Sequence, residues 1–223
     1  NDYPDVVVVV AEVENLKRNL LLFSQIKDLG FPVVLAINMA DRMELKGISI
    51  DVSELEKQLD TKIALISVRK NQGINELKQL ILNYKTFSTQ SFLDLKKVDE
   101  PHFELMEKLY PNQNPYKVWL HHSQQISFEG ISTVLGSNYT PKTESEIKRI
   151  QQRETIKRYQ FIGEILKKTY VIDASKATDL RAKLDRIFTH KVFGYVIFFA
   201  IMLLVFQAIF EWSAIPMDFI DGS

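Results

Sequence analysis

The 223-residue chain contains no cysteine, which excludes a disulfide scaffold, a thiolate nucleophile, an iron–sulfur cluster and any zinc site with Cys ligands. Glycine and proline are sparse, at 8 and 7 residues, so a collagen-like chain is excluded, and 46% hydrophobic residues exclude disorder. The glycines are also badly spaced for phosphate chemistry. No two of them stand five apart. The Gly-x-x-x-x-Gly-Lys-Ser/Thr loop, whose backbone N–H groups cradle phosphates and whose hydroxyl holds magnesium, is therefore missing. No glycine follows an aspartate by three residues, so an Asp-x-x-Gly turn that would hold magnesium is missing too.

Net charge is absent only on average, since 28 Lys plus Arg offset 28 Asp plus Glu. Asn1 to Thr140 holds 15 basic and 18 acidic residues, a net −3; Pro141 to Lys191 holds 13 and 7, a net +6; Glu211 to Ser223 holds three acids and no base. Between the last two, Val192 to Phe210 runs for 19 residues without a charge, with Gln207 its only strongly polar side chain. At about 1.5 Å per residue such a helix is roughly 28 Å long, close to the ~30 Å hydrocarbon core of a bilayer. Phe193, Tyr195, Phe198, Phe199 and Met202 to Phe206 leave no polar stripe for a soluble surface. A buried core helix is the competing reading, and a transmembrane helix fits the missing stripe better. The basic segment before it and the acids after it put everything before Val192 in the cytoplasm. Trp212 falls where an interfacial aromatic belongs, and Gln207 suits either a permeation path or packing against a neighbouring helix.

Three apolar, β-branched runs, Asp5–Val10, Pro32–Ile37 and Lys62–Ile66, begin 27 to 30 residues apart, the length of a strand, a crossover helix and two loops. Asn15 is placed to cap a helix from Leu16 to Leu29, ended by Gly30 and Pro32. Ser53 with Glu56 has capping-box spacing, and Ile74, Leu77, Ile81 and Tyr84 form a helical stripe. Residues 1–85 thus read as a βαβαβα array with a parallel sheet. Beyond Tyr84 the β-branched runs stop. Phe103, Met106, Leu109 and Tyr110 keep helical spacing, and Pro111 to Pro115 break the chain before a short segment at Tyr116 to Leu120. Thr143 with Glu146 caps a long helix bearing Ile147, Ile150, Tyr159, Ile162 and Leu166. A last amphipathic helix carries Leu180, Leu184, Ile187 and Phe188. Residues 86–188 read as all-helical, 189–213 as the membrane segment and 214–223 as the start of an extracytoplasmic stretch.

Ligands of an open parallel sheet gather beyond the carboxyl ends of its strands. The second strand ends in Asn38-Met39-Ala40-Asp41. A carboxylate at Asp41 can accept two hydrogen bonds from one base edge, and guanine offers a ring N1 hydrogen beside an exocyclic amine, where adenine offers no such pair. The Asn38 amide both donates and accepts, which suits a purine ring and a tie between loops. The third strand ends in Ser67-Val68-Arg69, whose backbone N–H groups are placed for the guanine O6. Asn and Asp are also ordinary turn residues, so a plain turn stands as the alternative.

Asn38-Met39-Ala40-Asp41 and Ser67-Val68-Arg69 resemble the base-recognition motifs of small GTPases. Asn15-Leu16-Lys17-Arg18-Asn19-Leu20 resembles a segment of the bacterial ferrous iron transport protein B family. So do Arg158 to Ile162, Leu184 to Ile187, Met202 to Phe206 and Pro216 to Asp221, in the same order. The resemblance implies the second half of a cytoplasmic GTPase domain, a helical domain that favours the GDP-bound state and couples to the membrane, and the first helix of a ferrous iron permease. The implied fold is a partial α/β parallel-sheet GTPase domain, an all-α domain and one transmembrane helix. Implied with it are GTP or GDP, with magnesium in the full-length parent, and ferrous iron as the transported ion. The implied partners are guanine nucleotide, the lipid bilayer, the remaining membrane domain, a small cytosolic protein and further copies of the chain, but no nucleic acid. The implied location is the bacterial inner membrane, multi-pass in the parent. Met39 stands where most GTPases have a Lys over the base and ribose, keeping apolar stacking without the charge. Val68 replaces the common Ala, and Glu12 stands where the family often has Asp. With the phosphate loop missing, the chain reads as a segment of a longer protein, inactive alone as a GTPase although the parent hydrolyses GTP. A membrane-tethered, non-enzymatic interaction module with a Rossmann-like domain is the alternative.

Other conspicuous residues carry less. His121 and His122 are adjacent, so on a helix they diverge by about 100° and do not chelate one ion. His190, beside Lys191, reads as interfacial. Lys148, Arg149, Arg153, Lys157 and Arg158 alternate with Glu144, Glu146 and Glu154, which reads as a solvated face near anionic lipid rather than a nucleic-acid surface.

Overall fold

The computed structural model describes residues 3–128, 131, 142–173, 175, 177–178, 184 and 188–209. In chain order the elements are β1 (Val7–Glu12), α1 (Leu16–Asp28), β2 (Val33–Asn38), the single turn α2 (Met43–Lys46), β3 (Ile48–Ile50), α3 (Val52–Leu59), β4 (Lys62–Leu65), α4 (Ile74–Leu82), α5 (Lys96–Leu109), α6 (Pro115–Gln124), α7 (Glu144–Thr169), β5 (Tyr170–Ile172) and α8 (Phe193–Gln207). The chain divides into two compact units, residues 1–43 with 48–172, and residues 44–47 with 173–223.

In the first unit β1, β2 and β4 form a parallel sheet in the order β1-β2-β4, with Val7 opposite Val33 and Val34 opposite Lys62. Alternation along the strands sends side chains to two faces. Val9, Ala11, Val33, Leu35, Ile37 and Ile63 join Leu16, Leu20 and Phe23 of α1, Leu55 and Leu59 of α3, and Ile162, Ile165 and Leu166 of α7 in the main core. Ala36, Ala64 and Ile66 face the other way, against Ile74, Leu77 and Leu80 of α4. Both faces are covered, as the near-continuous apolar strands require. The expected parallel α/β architecture is present.

Local signals explain most helix ends. Leu29 and Gly30 close α1 by donating to the carbonyls of Ile26 and Lys27, with Gly30 at φ +84 as a left-handed stop. Asn114 caps α6 by accepting from the N–H groups of Tyr116 and Lys117 at 2.9 and 3.0 Å. The Thr143–Glu146 capping box of α7 is present, with the Thr143 N–H 2.8 Å from Glu146 Oε2. Asn15 precedes α1, but its amide donates to Glu12 Oε2 at 2.8 Å rather than accepting a helical N–H. The Ser53–Glu56 box needs correction. α3 starts two residues earlier than that box implies, and Asp51 caps it by accepting the Glu54 N–H at 3.0 Å. The all-helical reading of residues 86–188 also needs correction, because Tyr170–Ile172 is a strand paired antiparallel with Ile48–Ile50. The Tyr170 hydroxyl donates to the Val13 carbonyl at 3.0 Å, anchoring this ribbon beside the end of β1.

The largest correction concerns Glu154 and Arg158, which are 5% and 0% exposed rather than solvated. Arg158 reaches Asp28 at 2.6 Å and Glu154 at 2.8 Å. It also donates to Ser24 Oγ at 3.2 Å and stacks 4.8 Å from the Tyr116 ring centre. Burial alone would lower the guanidinium pKa, but the Asp28 and Glu154 charges outweigh it and raise it. Trp119 Nε1 donates to Glu154 Oε2 at 2.7 Å, and the Phe92 and Leu93 N–H groups donate to Asp28 Oδ1. A single charged network thus ties α1, α6, α7 and the approach to α5 together. Arg153, partly exposed, pairs with Asp99 at 3.1 Å.

α5 is kinked at Asp99, whose φ of −156° is non-helical and whose Oδ1 accepts the His102 N–H at 3.2 Å. His102 is 4% exposed, edge-on to Phe103 and Trp119. Burial, helped by the Lys142 charge and opposed by Asp99, lowers its pKa to about 4 from 6.5. The unfolded chain therefore takes up this proton first as pH falls. Stability is full above about pH 6.5 and is lost progressively toward pH 4, by up to about 3 kcal/mol. His102→Leu is expected to flatten that part of the pH profile in urea unfolding; an unchanged slope would acquit His102.

In the second unit α8 covers 15 residues, Phe193–Gln207, with its first turn capped by His190 Nδ1, which accepts the Val192 and Phe193 N–H groups at 3.3 Å. Among the described residues no helix is long and apolar enough to cross a membrane. Phe210, Trp212 and residues 214–223 lie outside the described residues, as do Leu180 and Ile187 of the last expected amphipathic helix.

Candidate functional site

β2 and β4 are neighbours in register, Ile37 beside Leu65, so their carboxyl ends deliver two loops to one edge of the sheet. The Ile66 N–H donates to the Ile37 carbonyl at 2.8 Å, and the Ala40 N–H returns to the Ile66 carbonyl at 3.0 Å. Between these bonds Met39 adopts a left-handed φ of 64°, unusual for a residue with a Cβ. That turn brings Asp41 to the loop that follows β4, beside Ser67 and Arg69. The Met39 side chain packs against the main core.

Asp41 is the centre of the cluster. Its side chain is 4% exposed. Oδ1 accepts the Ser67 hydroxyl at 2.6 Å and Oδ2 accepts Arg69 Nη2 at 2.7 Å. The Ser67 hydrogen bond and the Arg69 guanidinium hold the carboxyl below its usual range, against desolvation. The group is an ionised, oriented acceptor. Asn38 Oδ1 accepts the Val68 N–H at 3.3 Å, tying the two loops together. Ser67 and Gln72 exchange backbone hydrogen bonds at 3.0 Å, and the Lys70 N–H donates to Ser67 Oγ at 3.3 Å.

Asn38, Asp41, Ser67, Val68 and Arg69, singled out in the sequence, are thus brought together; Met39 supplies the turn, with its side chain partly buried against the core. Gln72 and Gly73 were not singled out. Gly73 sits at φ +73, and a Cβ there would meet the Leu65 carbonyl oxygen at 2.1 Å, so only glycine closes the loop. The Asn71-Gln72-Gly73 string was the turn signal available. Outside the cluster, His121 Nδ1 lies 3.0 Å from the Ile126 carbonyl and His122 Nε2 lies 2.9 Å from the Tyr110 hydroxyl. Among the described residues no group of three or more His, Cys, Asp or Glu is placed to hold a metal ion.

Residues 1–81 match the family model described as Ferrous iron transport protein B. The chain is 31% identical over 233 aligned positions to the Fe(2+) transporter FeoB of Leptospira biflexa, covering 97% of this chain and 34% of that one. The chain belongs to the ferrous iron transport protein B family. A FeoB of Legionella pneumophila strain Paris is 32% identical over 98% of this chain and 30% of its own length. The chain therefore spans about a third of the length of these FeoB relatives. Among solved structures, the cytosolic domain of L. pneumophila FeoB aligns with a TM-score of 0.56 and 29% identity, covering 77% of this chain and 70% of that one. The cytosolic domain of T. maritima FeoB in a GDP form aligns with a TM-score of 0.66 and 22% identity over 76% and 69%, a likeness of fold.

Proposed function

We propose that this chain carries the guanine-recognising part of a GTPase domain in a longer ferrous iron transporter, with a helical segment that couples nucleotide state to the membrane. The observation that carries the reading is the Asp41 carboxylate, 4% exposed and oriented by Ser67 at the carboxyl end of a parallel sheet. It suits the N1 hydrogen and exocyclic amine of guanine. Asn38 would contact the purine ring while holding the Val68 loop, and the Val68 and Arg69 backbone would face O6. The Asn38–Val68 bond, at 3.3 Å, is long enough to be exchanged for an incoming oxygen. Met39 would give the base and ribose an apolar contact from the turn, with its side chain only partly buried against the core. The T. maritima relatives are described in GDP and GMPPNP forms, which supports GTP and GDP as the ligands here. Phosphate and magnesium contacts fall, in this reading, to residues outside the present sequence. The test is exchange of guanine for xanthine preference by Asp41→Asn.

The domain assignment follows the same reading: residues 1–85 as the base-binding half of the GTPase domain, 86–188 as the helical segment, 189–213 as the first membrane segment and 214–223 as extracytoplasmic. The charged network through Asp28 and Arg158 gives the helical segment a direct hold on α1, the helix that leads into β2. Ferrous iron is the proposed cargo, the inner membrane the proposed location, and the bilayer and the rest of the membrane domain the proposed partners. The proposed span is Val192 to Phe210, supported by the exposed apolar surface of α8, where Leu203 and Leu204 are 70% and 69% exposed, a surface that water does not favour. Gln207 would then face a path or a neighbouring helix. Replacing Leu203 and Leu204 together by Arg is expected to release the chain from membranes in an alkaline-wash flotation assay. Retention equal to wild type would remove the span.

A further inference from the structure

We propose that Arg69 is a built-in competitor for the base-reading edge of Asp41, which a guanine must displace in order to bind. The inference rests on the base-reading role of Asp41. A guanidinium and the N1–C2–N2 edge of guanine present the same chemistry, two N–H donors on nitrogens that share one carbon. Both are complementary to a carboxylate. Arg69 places one of those donors on Asp41, with Nη2 2.7 Å from Oδ2.

The two partners are unequally fixed. Asp41 is 4% exposed and Arg69 is 74% exposed, so a long, solvated side chain reaches down onto a fixed acceptor. The Ser67 hydroxyl at 2.6 Å holds the opposite oxygen, which keeps the carboxylate from turning away and leaves Oδ2 facing its visitor. The neighbouring cation in the turn does not compete, because Arg42 is engaged by Glu14 at 2.9 Å. Displaced, Arg69 returns to solvent without burying its charge. A pair whose cation is solvent-exposed typically holds its closed state by a factor of about two to five, and apparent affinity for a ligand of the open state falls by about the same factor.

The experiment is stopped-flow binding of a fluorescent GDP to the full-length protein. Arg69→Ala and Arg69→Gln are both expected to bind GDP about two- to fivefold more tightly than wild type, an advantage that shrinks in high salt as the wild-type pair is screened. In an Asp41→Asn background, probed with xanthosine diphosphate, removal of Arg69 is expected to give no gain, because the neutral amide no longer holds the guanidinium. That double-mutant cycle separates competition at Asp41 from a general effect of the positive charge. Unchanged or weaker GDP binding by both Arg69 variants, or an equal gain in the Asp41→Asn background, overturns the proposal. If Asp41→Asn does exchange guanine for xanthine while the Arg69 variants bind no tighter, only the competitor role falls. If wild type binds no GDP or Asp41→Asn fails to change base preference, the base-reading role falls and takes the competitor with it.

Discussion

Asp41→Asn in the full-length protein is expected to weaken GDP binding by about a hundredfold or more and to make xanthosine diphosphate the preferred ligand. Two charge-assisted hydrogen bonds are at stake, each contributing roughly 1.5–3 kcal/mol. A site built around such bonds rejects a ligand that cannot make them far more strongly than an apolar pocket rejects a missing methylene. In the variant the side chain keeps one acceptor oxygen and gains an N–H₂ donor, which clashes with the guanine 2-amine. Xanthine carries a carbonyl at that position, so the amide donates to it while its oxygen accepts from the ring N1. The same change leaves Ser67 Oγ an acceptor oxygen to bond, so the loop geometry built on the 2.6 Å contact survives. Competition between the two diphosphates for a fluorescent nucleotide measures the exchange directly. Unchanged GDP affinity would remove Asp41 as the base reader.

The parallel sheet was legible because its strands are continuous apolar runs with no competing period: the Pro32–Ile37 run became Val33–Asn38 and the Lys62–Ile66 run became Lys62–Leu65. The cluster was legible for a related reason. Polar residues that end a buried strand have only one place to go, the rim of the sheet. What escaped was non-local or ambiguous. The β3–β5 ribbon is three residues on each side, joined across more than a hundred positions, and Tyr170 follows α7 without a break. At α3, Asp51–Glu54 and Ser53–Glu56 share the same spacing, and the end of β3 at Ile50 decides between them. Arg158 looked solvated because its neighbours in sequence are charged. Its neighbours in space are set by the i, i+4 row Ile150, Glu154, Arg158, Ile162, all four of which are buried. That row was in the sequence, and it places two charges on an apolar stripe where only mutual pairing can hold them.

The second large effect follows from that row. Arg158→Met is expected to destabilise the first unit by about 3–5 kcal/mol, because it strands two buried carboxylates whose partner is gone. Asp28 and Glu154 are 1% and 5% exposed, so water cannot replace the guanidinium without opening the packing of α1 on α7. The charge itself is not what the fold needs. Trp119 Nε1 requires only an acceptor, which Gln at 154 supplies, and the Phe92 and Leu93 N–H groups require only the oxygen that Asn at 28 supplies. The triple variant Asp28→Asn, Glu154→Gln, Arg158→Met removes all three charges and keeps those hydrogen bonds, so it is expected to recover most of the loss. Urea midpoints at constant m-value measure both variants. A single-variant loss under about 1 kcal/mol would show that the carboxylates are relieved more cheaply than burial implies, and failure of the triple variant to recover would assign the loss to packing of the guanidinium on Tyr116 instead. Either way the readout bears on coupling, since Asp28 stands five residues before β2, the strand that ends in Asn38 and Asp41. Under the proposed function, loosening that contact is expected to change how the helical segment responds to nucleotide before it changes the base-reading cluster itself.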